Sequence, residues 1–272
     1  MPLTVTSLAS GSSGNALLAE CDGVSILIDC GIALRTMEKL LVYRGIAPAG
    51  LRALLLTHEH GDHAYSAAAF ARRYKVPVVC NAETRAALGA ELDGVAVELL
   101  PVGERASVGP FDVASFRLHH DAADPVGYRV TADGSTLAVA VDLGSWTDET
   151  AEALRDADLI VVEANHDREL LLASPYPWSI RQRIFGPRGH LDNLDCGALL
   201  ARACRRPCDV WLAHLSEQTN TPRVAVAGVR RALELAGVRG VELSTLPRRS
   251  ANAPHGAPSW RSDARMLQRE LF

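Results

Sequence analysis

An apolar run, Ala53-Leu54-Leu55-Leu56, breaks into Thr57-His58-Glu59-His60-Gly61-Asp62-His63, and no other segment restricts the possible folds as strongly. Four potential metal ligands, His58, His60, Asp62 and His63, fall within six positions. Alternate residues of an extended segment point the same way, so His58 and His60 can share one ion. The chain can turn at Gly61, after which Asp62 and His63 can reach a second ion. Neutral imidazole and carboxylate are ligand types that zinc, manganese and iron accept.

Further ligands are expected where other buried strands emerge, because sheet-based sites gather there. His119-His120 closes the run Phe111–Leu118, Asp142 closes Leu137–Val141, and His214 closes Val210–Ala213. The double histidine leaves two candidates for one ligand position, and His120 is preferred because it directly precedes Asp121.

Short apolar runs alternate with helical spacing along most of the chain. Strands are expected at Leu3–Ala9, Ala16–Cys21, Val24–Asp29, Ala53–Thr57, Val76–Cys80, Val95–Leu100, Phe111–His119, Val126–Thr131, Leu137–Val141, Leu159–Glu163, Val210–Ala213 and Val241–Leu246. Helical patterns cover Leu34–Tyr43, Ala64–Tyr74, Ala82–Leu88, Asp148–Ala157, the region from about Pro177 to Arg205, and Pro222–Ala236. The turn Ala132-Asp133-Gly134-Ser135 joins two strands as a hairpin. Strand-rich halves with helices outside suggest an α/β protein built as a four-layer αββα sandwich. From Pro247 the chain is rich in Arg, Ser, Ala, Pro and Gly, so one domain is expected over 1–246 and a flexible basic tail over 247–272.

At 272 residues with 48% apolar and 22% charged side chains, the composition is ordinary for a globular protein and excludes a fibrous or largely disordered one. No apolar stretch approaches a membrane span, and Met1-Pro2-Leu3-Thr4 does not open a signal peptide, so a cytoplasmic protein is expected. The six cysteines form no CxxC pair and read as reduced thiols; Cys204 and Cys208 alone make a poor zinc site. Net charge is -4, which argues against a strongly basic nucleic-acid binder. Its distribution is uneven: residues 1–174 carry a net -11 and residues 175–272 a net +7, which suits a polyanionic partner on the C-terminal side.

Several stretches together resemble the metallo-β-lactamase fold superfamily, and within it the WalJ/YycJ family of bacterial nucleases. They are Ser10-Gly11-Ser12-Ser13-Gly14-Asn15, the His58–His63 segment, and His120 to Tyr128. Others are Glu163-Ala164-Asn165-His166-Asp167, Pro175 to Ser179, Gly189-His190-Leu191-Asp192-Asn193 and His214-Leu215-Ser216-Glu217. The likeness spans about residues 3 to 245; His119 and Asp192 depart from the family's usual residues without removing a ligand.

The resemblance implies two divalent metal ions, Zn or Mn. One would be held by His58, His60 and His120, the other by Asp62, His63 and His214, with Asp142 between them. Such a pair activates a bridging hydroxide for attack on phosphorus and offsets phosphate charge. The implied activity is a metal-dependent DNA nuclease, a 5'→3' exonuclease that could also cut single strands. Asp62 would orient the nucleophile. His190, or else His166, would protonate the leaving oxygen. Ser13, Asn15, Asn165, Arg181 and Arg183 are candidates for contacting the DNA. A hydrolase of the same fold acting on a thioester, lactone or cyclic phosphodiester is the alternative, since fold does not dictate substrate. The terminal Gln268-Arg269-Glu270-Leu271-Phe272 resembles the sliding-clamp-binding peptides of bacteria, with Gln268, Leu271 and Phe272 as anchors.

Overall fold

A computed structural model describes residues 1–248 and 257–264. The strands of the first half are β1 (Thr4–Ala9), β2 (Ala16–Cys21), β3 (Val24–Ile28), β4 (Leu51–Leu55), β5 (Val78–Cys80) and β6 (Val97–Leu99). With β14 (Ser259–Arg261) they form one sheet in the order β14-β1-β2-β3-β4-β5-β6. The second sheet contains β7 (Arg105–Val108), β8 (Phe111–Arg117), β9 (Val126–Ala132), β10 (Ser135–Ala140), β11 (Leu159–Glu163), β12 (Cys208–Ala213) and β13 (Val241–Thr245). Its order is β13-β12-β11-β10-β9-β8-β7. Both sheets are mixed, parallel from β3 to β6 and from β10 to β13, and antiparallel elsewhere.

The pleat explains why most central strands are continuously apolar. Along β10, Leu137 and Val139 enter the core between the sheets, while Ala138 and Ala140 face the outer layer. Along β3, Ile26 and Ile28 face the other sheet and Leu27 faces outward. Strands covered on both faces have no solvent side to mark with polar residues. The outer layer of the first sheet contains α1 (Leu34–Tyr43) and α3 (Ala67–Tyr74), which contribute Met37, Leu41 and Phe70. That of the second contains α5 (Asp148–Leu154), α8 (Asn193–Ala203) and α9 (Pro222–Leu235), which contribute Leu154, Leu199 and Val229. The expected αββα sandwich is the observed one.

Several boundaries differ from the sequence expectation. The pattern over Ala64–Tyr74 divides into α2 (Gly61–Ala64) and α3, and α4 (Ala82–Leu88) is as expected. The region from Pro177 to Arg205 is α7 (Trp178–Phe185) and α8 with a break between them, because Gly186-Pro187 cannot continue a helix. A short α6 (Arg168–Leu172), capped by the Asp167 carboxylate, was not anticipated, nor was the edge strand β7.

The expected domain end near Leu246 does not hold for residues 257–264. β14 pairs antiparallel with β1, setting Trp260 opposite Val5 in the core between the sheets. The Trp260 indole N–H donates to Asp209 Oδ2 at 2.8 Å. A single tryptophan amid Arg, Ser and Pro leaves no periodic signal, yet the open edge of β1 offers a full ladder of backbone partners. The clamp-motif residues Gln268, Leu271 and Phe272 lie outside the described residues.

Candidate metal centre

The site lies where strands of both sheets end. β4 leads through Thr57 to His58, and the turn into α2 carries His60, Asp62 and His63. Asp142 follows β10, His214 follows β12, and His120 follows β8. Asp142 and His214 adopt positive φ, 62° and 53°, and so does Asp29 after β3 at 62°. Such backbone is costly for non-glycine residues and clusters at functional sites. Here it occurs at three residues that directly follow or lie just beyond strand ends.

Three sets of donor atoms gather there among the described residues, each with all members within 4.8 Å of one another, and the third, Asp142, Glu163, His190 and His214, overlaps the two that hold the expected ligands. His58, His60, His120 and Asp142 form the first; Asp62, His63, Asp142 and His214 form the second. Asp142 is common to both. All seven expected ligands therefore converge, though they come from segments far apart in the chain. His58 Nε2, His214 Nε2 and Asp142 Oδ1 are buried without a hydrogen-bond partner among the described residues. Leaving such atoms unpaired is expensive unless something else binds them. The donors are imidazole and carboxylate, so the site fits divalent metal ions.

Surrounding groups orient the rings. His63 Nδ1 lies 2.7 Å from Asp29 Oδ2, and the same carboxylate accepts from the Thr57 amide and hydroxyl. His120 Nδ1 is 2.9 Å from the Gly189 carbonyl, and Glu163 Oε1 lies 2.8 Å from His214 Nδ1. Each leaves Nε2 directed at the cluster, the arrangement that metal-ligating histidines favour. Asp29 and Glu163 were not singled out as site residues from sequence. Their only signal is the one Asp142 also has, an acid at the end of an apolar strand.

The electrostatics favour a cation. Burial opposes charge on Asp142, but His214 and His63 outweigh it and hold the carboxyl well below its usual range. Burial drives His58 well below an ordinary histidine, so that it stays neutral. His63 is buried too, yet Asp29 and Asp142 raise it to about 10. Protons thus occupy places that a divalent ion would take by displacing them.

Of the two histidines in the helical break and after β11, His190 belongs to the cluster. Its Nδ1 lies 2.8 Å from Glu163 Oε1, and its ring centroid is 5.1 Å from that of His120. Despite burial, Glu163 and Asp142 raise its pKa to about 9. His166 is buried with neither ring nitrogen hydrogen-bonded, packs against Phe185 at 5.4 Å, and is lowered to about 4, mainly by desolvation. His119 stands apart from the donor sets and contacts Ser145, which anchors the loop that delivers His120.

The remaining candidates surround the centre in different ways. Ser13 is exposed beside it. The buried Asn15 amide donates to the Asp62 carbonyl at 3.3 Å and lies 3.0 Å from His63 Nε2. The Asn165 amide donates to the His214 carbonyl at 2.9 Å, so both amides brace ligand-bearing backbone. Arg183 donates to Asp121 at 2.6 Å, and Arg181 donates to the Leu172 carbonyl at 2.7 Å and stacks on Trp178. No helix among the described residues is long and apolar enough to cross a membrane.

Known proteins share this architecture and sequence. The family model for the beta-lactamase superfamily domain matches residues 25–215. The exodeoxyribonuclease WalJ of Streptococcus pneumoniae is 33% identical over 224 residues, covering 80% of this chain and 83% of that protein. The exodeoxyribonuclease YycJ of Bacillus anthracis is 33% identical over 241 residues, covering 87% and 91%. The metallo-beta-lactamase fold protein YhfI of Bacillus subtilis superimposes with a TM-score of 0.71 at 19% identity, over 96% of this chain and all of that one, which speaks for the fold alone. With the sandwich, the ligand cluster and these relatives in agreement, the chain belongs to the metallo-β-lactamase fold superfamily and, within it, to the WalJ/YycJ family.

Proposed function

We propose that this protein is a metal-dependent exodeoxyribonuclease that hydrolyses DNA in the 5'→3' direction and also cuts single strands endonucleolytically. The observation that carries the reading is the gathering of six ligand-type side chains around a seventh, Asp142, in a chain one-third identical to two exodeoxyribonucleases over most of its length.

His58, His60, His120 and Asp142 would hold one cation, and Asp62, His63, His214 and Asp142 a second, with zinc or manganese as the metals these donors suit. When bound, such a pair activates water and offsets charge on the phosphate. Asp62 Oδ2 lies 3.4 Å from His214 Nε2 and 3.7 Å from His63 Nε2, where it would orient the attacking water. His190, raised to about 9 chiefly by Glu163 against burial, keeps a proton at neutral pH and delivers it to the departing oxygen. His166, lowered to about 4 by desolvation, holds no second proton at that pH and has a weaker claim. Ser13, Arg181 and Arg183 line the approach of the strand, and Asn15 and Asn165 hold the loops that carry its contacts. The chain is proposed to work in the cytoplasm, with Gln268, Leu271 and Phe272 docking on the sliding clamp; deleting 268–272 should abolish clamp capture and spare nuclease activity.

The test uses end-labelled duplex and single-stranded DNA with Mn²⁺ or Zn²⁺. The wild type should cut, and Asp62→Ala and Asp142→Asn should lose at least about 100-fold in rate. Wild-type protein that leaves both DNAs intact with either metal overturns the reading.

A further inference from the structure

A cleft of about 410 Å³ opens beside the second donor set, with Asp62 forming part of its wall. Its opposite sides come from three segments: the Ser12-Ser13 turn between β1 and β2, Gly31 to Thr36 at the start of α1, and Tyr65 after α2. Asp62 and Ser13, at its near end, already have parts in the hydrolytic reading; the far end, from Thr36 to Tyr65, has none.

Its lining is unlike a surface dimple. Tyr65 is 71% exposed although it is a large aromatic directly following the ligand-bearing turn. Its neighbours in the wall include Ser12, Ser13 and Thr36, each with a side-chain hydroxyl. Gly31 brings the α1 side of the cleft against the metal side: a Cβ there would lie 1.7 Å from the Asp62 carbonyl oxygen. The cleft therefore starts at a candidate ligand and leads to an aromatic residue and three hydroxyl-bearing ones. A flat heteroaromatic group attached to a hydroxylated ring needs those features together, and the volume suits one such group.

We propose that this cleft binds one nucleoside whose phosphate sits at the donor cluster, with the base stacked on Tyr65 and the sugar facing Ser12, Ser13 and Thr36. Building on the nuclease reading, it places one of the two nucleosides that flank the scissile phosphate. Stacking on an aromatic side chain is tolerant of base identity, so the cleft fixes the strand's position without reading sequence.

The test is calorimetric and needs no turnover. The zinc-loaded full chain should bind thymidine 5'-monophosphate about tenfold more tightly than 2-deoxyribose 5-phosphate, the range base stacking supplies. Tyr65→Ala should bind both equally, at the level of the sugar phosphate, and Tyr65→Phe should keep the preference. Equal binding by the wild type, or a preference that survives in Tyr65→Ala, overturns the proposal. Cleavage of the dinucleotide TpT and of its two singly abasic analogues then tells whether the nucleoside belongs to a strand. One analogue should lose about tenfold in kcat/KM, and that loss should vanish in Tyr65→Ala; a Tyr65 effect on the monophosphate alone makes the cleft a free-nucleotide site and overturns its place in the strand. Base-dependent binding without any DNA cleavage overturns the nuclease reading and leaves the nucleoside cleft standing, so the two failures are distinct.

Discussion

Asp29 Oδ2 sits 2.7 Å from Nδ1 of His63, both side chains buried, although 33 residues of chain intervene. The contact fixes which nitrogen of His63 carries the proton and which faces the donor cluster. Replacing Asp29 with alanine should lower affinity for the metal held with Asp62 and His214 by 10–100-fold, the usual effect of removing such an orienting carboxylate. Competition with a chromophoric chelator measures it; unchanged affinity would show that packing alone holds the ring.

Gly31 tests a steric demand next to the same turn. An added Cβ would lie 1.7 Å from the Asp62 carbonyl oxygen and 2.8 Å from the His63 nitrogen, both backbone atoms. Gly31→Ala must therefore push the ligand turn aside. Both metal content and thermal stability should fall, with a loss of about 1–3 kcal/mol as for other overpacked sites. Gly45→Ala serves as a control, since nothing lies within 4 Å of its Cβ position, although its own φ of +77° imposes some strain.

His166 should make stability depend on pH. Desolvation lowers it to about 4 from an ordinary 6.5. Above pH 6.5 it is neutral whether the chain is folded or unfolded, and its contribution is complete. As pH falls from 6.5 to about 4, the unfolded chain takes up a proton that the folded one refuses, so stability declines. Below about 4 both states are protonated and the decline from this group ends. The full loss is up to about 3 kcal/mol. Urea unfolding of metal-stripped wild type and His166→Gln at pH 7 and pH 4.5 should show a smaller difference in the variant; identical differences would remove His166 as the cause.

Trp260 ties the late strand to the body of the protein. It is 8% exposed, fills the core between the sheets opposite Val5, and hydrogen-bonds Asp209. Trp260→Ala should cost about 3 kcal/mol, as large-to-small core changes do, and lower the melting temperature by several degrees. A melting temperature matching the wild type would mean that β14 contributes nothing to the folded domain.

The local pattern of the chain marks its strands, helices and candidate ligands, while the choice of the αββα layering rests on the metal motif as well as on periodicity. Runs such as Leu137–Val141 and Leu159–Glu163 are apolar at every position because both faces are covered, and the polar residue closing each run marks where the strand leaves the core. The segment His58 to His63 was legible because its ligands are neighbours in the chain. What joined them to His120, Asp142 and His214 was the resemblance, since no local rule ties residues so far apart. Only the tertiary structure set Asp29 behind His63 and put Glu163 between His190 and His214; for His120, preferred over His119 from its place before Asp121, it added burial and the contact with the Gly189 carbonyl. It also separated His190, inside the cluster, from His166 outside it. These relationships depend on strand order, on left-handed turns at Asp29, Asp142 and His214, and on glycines that let loops touch. None of them is periodic, so none leaves a trace in a linear pattern; they exist once the two sheets have closed on each other and brought the ends of their strands to one place.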